Sequence, residues 1–174
     1  FNTATISGTH MLFTCSDGSD ANSGFRLYTS GSTLYVEIAD AGVASLSYGN
    51  GGGLVANTNY HIVMTNDATG NKIYQDDVLL TTTYYTGSSS TDSWLDNVLT
   101  VSECSLGQDV RSNTGQIFWN GAIDDLSIWN DALTSTEVSA LYNSGSGTST
   151  PDTNGLVAHY NFEQTGTTLE NQVI

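Results

Sequence analysis

The sequence predicts an all-β protein, an antiparallel jelly-roll β-sandwich with one short capped helix near residues 135–143. Three observations predict it. Short runs of period-two apolar alternation recur along the chain. Clusters of Gly, Asn, Asp and Ser separate them at intervals of about eight to twelve residues, the spacing of sandwich turns. One segment carries helical periodicity with its own start and stop signals.

The early runs are "HMLFTC", "GFRLYT", "TLYVEIA" and "VASLSY". In "TLYVEIA", Leu34, Val36 and Ile38 share one face while Thr33, Tyr35 and Glu37 share the other, so this strand has a core side and a wet side. Between the runs, "DGSDANSG" at 17–24, "TSGST" at 29–33, "GNGGG" at 49–53 and "NDATGN" at 66–71 supply residues that tolerate positive φ or bond their own backbone. "YHIVMTN" and "NKIYQ" come next. Asp76-Asp77 before "VLLTTTYY" reads as a two-residue hairpin in which Gly would be the usual second residue. "VLTVSE" is the next strand.

The stretch "GAIDDLSIWNDALTSTEVSALYNSG", residues 121–145, is a strand running into the helix. Thr134 is its N-cap and Glu137 reaches back to the cap amide, the form of a capping box. Leu133 stands at the staple position opposite Val138, and Gly145 ends the helix in the left-handed conformation. Two turns are too few to be stable alone, so Val138, Leu141 and Tyr142 must dock on the sheet edge. Pro151 marks a connector at 146–154, and "GLVAHYNFEQ" reads as one more strand. The organisation is therefore a sandwich over 1–145 and a strand segment over 155–174, which completes that sandwich or begins a neighbouring repeat.

Composition bounds the partners. A chain of 174 residues with 38% apolar content builds one domain with a sizeable core. With 3 Lys+Arg against 18 Asp+Glu, its net charge of -15 repels phosphate backbones and anionic lipid. Arg26, Lys72 and Arg111 are too far apart to form a basic stripe, and no apolar run reaches membrane-spanning length. The expectation is no nucleic acid and no membrane insertion. Cys15 and Cys104 either pair, closing a long loop, or serve as two small buried hydrophobes. Scarce Lys with abundant Asp, Thr, Ser, Asn and Gly points to an extracellular or cell-surface setting, and a first residue of Phe1 points to a processed chain or a piece of a longer one.

"FWNGAIDDLSIWNDALTSTEVSALYNSG" resembles the terminal signature of laminin-G-like domains in the concanavalin A-like lectin/glucanase superfamily. In that signature, G-x-I-D-[DE]-hydrophobic-x-I-[YW] runs into A-L-[ST]-x-x-E-[IV]-x-x-L-Y, matched here by Gly121, Ile123, Asp124, Asp125, Leu126, Ile128, Trp129, Ala132, Leu133, Thr134, Glu137, Val138, Leu141 and Tyr142. "NYHIVMTNDATGNKIYQDDVLL" is similar to the family's central hairpin. The resemblance implies a jelly-roll sandwich that binds carbohydrate or protein partners outside cells, often with a structural Ca²⁺. The family's opening strand has no counterpart before Phe1, and "GLVAHYNFEQTGTTLENQ" resembles a domain's first segment. A tandem array, a fragment, or a strand given to a second copy in trans would each account for that register.

Asp124 shares strand parity with Leu126 and Ile128, so a regular strand points its carboxylate inward, toward a cation or toward backbone amides of the next turn. Calcium takes such oxygen ligands, and the resemblance brings Glu163 and Asn171 beside Asp124 as co-ligands. Asp17, Asp20 and Asn22 form a second oxygen-rich turn without EF-hand spacing. A glycan site needs an aromatic platform beside polar groups. Of Trp94, Trp119, Trp129, Tyr84 and Tyr85, Trp94 is the most loop-like, with Asp92, Asp96 and Asn97 beside it, whereas Trp119 and Trp129 flank the signature strand as core residues. His61 reads as a half-buried strand histidine. No E-x-D-x-x-E run, nucleophile turn or zinc spacing supports catalysis. The sequence thus points to a non-catalytic extracellular module for glycans or proteins, with a surface-filament subunit joined by strand donation as the alternative and a glycoside hydrolase third.

Overall fold

The computed structural model describes residues 1–17, 20–40, 43–67, 69–91, 93–95, 98, 101–110, 117–148, 154–163 and 171. A two-residue strand, β1 (Asn2–Thr3), precedes four long ones: β2 (Thr9–Asp17), β3 (Asp20–Ser30), β4 (Thr33–Asp40) and β5 (Val43–Gly49). Then come β6 (Ile62–Asp67), β7 (Gly70–Gln75), β8 (Val78–Leu79), β9 (Thr83–Thr86) and β10 (Glu103–Leu106). The chain closes with β11 (Gly121–Ala122), β12 (Leu126–Trp129), the helix α1 (Ser135–Tyr142) and β13 (Leu156–Tyr160). All strand pairs among the described residues are antiparallel.

One layer is a six-stranded sheet in the order β10-β2-β3-β4-β5-β9. The other is assembled from β6-β7-β8, from the pair β1-β11 and from the pair β12-β13. β1 ties these pieces together. It pairs with β11 through Asn2↔Ala122 and Thr3↔Gly121, and on its other side Asn2 bridges Asn59 while Phe1, just before the strand, exchanges backbone bonds with Tyr60. Gly121 is required there: a Cβ on it would lie 1.9 Å from the Asn2 carbonyl oxygen.

The core lies between the layers. Leu34, Val36 and Ile38 of β4 are buried as their parity predicts, and they cluster with Phe25, Leu46, Tyr48 and Ile73. Ile62 and Met64 of β6 pack on the same cluster from the second layer. Burial of this apolar surface is the main force holding the sheets face to face. Cys15 and Cys104 stand directly opposite each other on β2 and β10 and form a disulfide, 89 residues apart in sequence.

The two-residue hairpin is present: Gln75 pairs with Val78, and Asp76 and Asp77 both take positive φ, 51° and 69°, the geometry of a type I′ turn. The capping box is also present. The Thr134 hydroxyl accepts from the Glu137 amide, and the Glu137 carboxylate accepts from the Thr134 amide at 2.6 Å. Val138, fully buried, packs with Leu133 on Val63 of β6 and Tyr74 of β7. The helix therefore sits on the face of that hairpin, with the Ser139 hydroxyl donating to Asp77 at 2.6 Å.

Three local expectations differ. The helix stops at Asn143 rather than Gly145, because Asn143 itself adopts the left-handed cap at φ 46° and a short 3-10 turn follows. "VLLTTTYY" divides between β8 and β9 in different sheets, and of "VLTVSE" only Glu103 among the described residues lies in a strand. The signature strand is interrupted as well: Asp125 takes φ 51°, which separates β11 from β12.

Candidate functional site

Cross-strand register aligns Ser105, Thr14, Arg26, Glu37, Ser47 and Thr86 in one row across all six strands of the large sheet. This row has the opposite parity to the core residues, so it lies on the face turned away from the second layer. Near β2 the row is closed over: the Thr14 hydroxyl donates to the Gln108 carbonyl at 3.2 Å, and Asp109 and Val110 are buried. Toward β9 it opens. Arg26 donates a short hydrogen bond to Glu37, with side-chain exposures of 10% and 23%.

Beside that pair runs a ladder of tyrosines. Tyr28 and Tyr35 stack with ring centroids 5.2 Å apart, and Tyr35 meets Tyr85 at 5.2 Å in a tilted contact. Gly49 of β5 pairs with Tyr35 and lies on the way to β9. A Cβ at Gly49 would come within 2.6 Å of the Leu34 carbonyl, so the strands pack here only because no side chain stands there. Tyr28 reaches Glu37 with its hydroxyl at 3.5 Å; burial first and the Glu37 charge second push its pKa up to about 12. The Tyr35 hydroxyl, hydrogen-bonded to Tyr85, raises Tyr85 too. Tyr28 and Tyr85 therefore keep their protons at neutral pH, and each phenol can donate as well as accept. Tyr85 is 52% exposed and offers an open ring face at the end of the ladder.

The site expected around Trp94 is arranged differently. Trp94 is half-buried and packs edge-on against Phe25 at 5.5 Å, as part of the core. The turn that looked exposed tucks inward, with Ser93 and Val98 buried on either side. Asp92, Asp96 and Asn97 lie outside the described residues. Trp119 packs on the core as expected, touching Phe1 at 5.3 Å, while Trp129 is half-buried in β12.

The expected calcium ligands also differ. Asp124 is exposed, not inward, because the turn at Asp125 breaks strand parity, and its carboxylate accepts from the Asp125 amide at 3.1 Å. Glu163 is exposed. It lies close enough, with Asp124, to push the Asp125 carboxyl up after burial has done so. Asn171 is committed to β13: its amide oxygen accepts from His159 N–H at 2.9 Å and its amide nitrogen donates to the Val157 carbonyl at 3.1 Å. Asp124 and Glu163 are thus exposed neighbours of Asp125 while the Asn171 amide is spent on β13, and no group of three His, Cys, Asp or Glu side chains among the described residues is placed to hold an ion. The side chains of Asp20 and Asn22 lie outside the described residues.

A family model of laminin G type, described as the concanavalin A-like lectin/glucanases superfamily, matches residues 1–139. The chain belongs to that superfamily. Among solved structures, the superfamily fold is shared with the CBM40 of the Ruminococcus gnavus IT-sialidase, at 16% identity and a TM-score of 0.66, over 79% of this chain and 76% of that one. The same module bound to alpha2,3 sialyllactose matches at 16% identity and a TM-score of 0.65, covering 80% and 76%. Bound to alpha2,6 sialyllactose it matches at 15% identity and a TM-score of 0.56, covering 79% and 77%. No curated protein sequence matches the chain.

Sequence reasoning named Tyr85 but passed over Arg26, Tyr28, Tyr35 and Glu37. The signal was there in the parity of "TLYVEIA", which sets Tyr35 and Glu37 on the wet side. Only the strand order makes Tyr28 and Tyr85 their neighbours.

Proposed function

We propose that this superfamily member is a non-catalytic carbohydrate-binding module of an extracellular or cell-surface protein, and that it binds glycan on the outer face of its six-stranded sheet. The observation that carries the reading is the Tyr28, Tyr35, Tyr85 ladder beside Glu37. A pyranose stacks its C–H face on an open aromatic ring while its hydroxyls bond to phenols and a carboxylate, and this face has each of those parts. The CBM40 structures with sialyllactose support a glycan as the ligand class for the fold. A disulfide between β2 and β10 supports an oxidising compartment, and no described helix is long and apolar enough to cross a membrane.

The test is a glycan-array screen of the purified chain, followed by calorimetric titration of the strongest hit against wild type and Tyr85→Ala. Binding should weaken at least tenfold in the variant, whose exposed side chain leaves the core intact. Equal binding by both proteins would place the site elsewhere.

A further inference from the structure

We infer that this face selects neutral glycans and discriminates against carboxylated ones; the inference rests on the glycan-binding reading above. Recognition of a sugar carboxylate asks for a cation whose charge is available to the ligand. Among the described residues there are two side-chain cations, and each carries a carboxylate. Lys72 donates to Asp67 at 2.7 Å, at the turn between β6 and β7. Arg26, which alone of the two lies on the ladder face, is mostly buried and is bonded to Glu37. Glu37 is the more open partner, so an incoming ligand meets the acceptor before the guanidinium.

The donor and acceptor inventory points the same way. Glu37 oxygens take Arg26 on one side and a long 3.5 Å bond from Tyr28 on the other, which leaves lone pairs for sugar hydroxyls. Vicinal hydroxyls of a neutral sugar donate to such a carboxylate; a sialic or uronic carboxylate opposes it. Arg26 offsets part of the Glu37 charge, but the guanidinium lies behind the carboxylate, so a ligand carboxylate meets like charge first and gains no hydrogen bond from it. The background field adds to this, since the chain carries a net charge of -15.

The experiment prints each neutral core on one array with and without a terminal sialic or uronic acid, lactose beside the two sialyllactoses among them, and probes it with the full chain at low salt and at 150 mM NaCl. The expected result is that the bound set is neutral, that capping a bound core with a carboxylated sugar lowers signal at least tenfold, and that the penalty shrinks at the higher salt. Tyr85→Ala should lose the same spots. Glu37→Gln, verified as folded by thermal melting, should narrow the gap between neutral and carboxylated partners. Preferential capture of the carboxylated members would overturn the selectivity while leaving a glycan-binding module in place. Silence across every glycan on the array would overturn both.

Discussion

Glu37 receives the guanidinium of Arg26 across the β3–β4 pair and the hydroxyl of Tyr28 from the adjoining position of β3. The pair is more than a surface ion pair, because Arg26 is largely removed from water. Removing one partner leaves the other charge partly desolvated. Arg26→Ala should therefore destabilise the fold by about 2 kcal/mol, below the range for fully buried pairs because Glu37 keeps contact with solvent. Urea unfolding checks this as a lower midpoint at unchanged slope.

The disulfide restrains the unfolded chain by closing an 89-residue separation. Replacing Cys15 and Cys104 together by Ala should cost roughly 2–5 kcal/mol, and reducing agent should lower the melting temperature of the native chain but not that of the double variant. A double variant that melts with the wild type would show that the bond contributes nothing.

Thr134 holds the first turn of α1, and Val138 docks that turn on Val63 and Tyr74. Thr134→Ala removes the hydroxyl that accepts from Glu137 and should cost about 1 kcal/mol. Hydrogen exchange should then quicken in Ser135–Tyr142 while the strands of the six-stranded sheet keep their protection.

His61 packs beside the Tyr142 ring at 5.8 Å, and burial holds its imidazole below the ordinary 6.5. Its Nδ1 is buried with no hydrogen-bond partner among the described residues. Below pH 6.5 the unfolded chain binds this proton before the folded one does. Stability contributed here is therefore complete above that pH and is lost as pH falls toward the depressed folded value. Urea midpoints measured between pH 7.5 and 5 should fall for the wild type and flatten for His61→Gln. Parallel curves for the two proteins would assign the loss to other groups.

How much was legible depended on the range of the interaction. Leu34, Val36 and Ile38 declared their face through alternation, and Thr134 with Glu137 declared a helix start, because both signals are written within a few residues. The Asp76-Asp77 turn was legible for the same reason. Asp124 misled because strand parity assumes an unbroken strand, and the Asp125 that breaks it is a residue type that tolerates the left-handed conformation without demanding it. Trp94 misled because a Ser- and Asp-rich neighbourhood reads as solvent, whereas a tryptophan in a loop can fold the loop onto the core. The ladder face was illegible for a geometric reason. Tyr28, Tyr35 and Tyr85 sit on three strands, and only the β3-β4-β5-β9 order gathers them.

Asn171 occupies one edge of β13. Its side-chain amide takes the N–H of His159 and gives to the carbonyl of Val157, both on the edge of β13 that faces away from β12. One side chain thus satisfies two backbone groups that a neighbouring strand would otherwise bond. A strand arriving from another copy could bond those two groups only by first displacing the Asn171 amide, so the side chain acts as a latch on that rim.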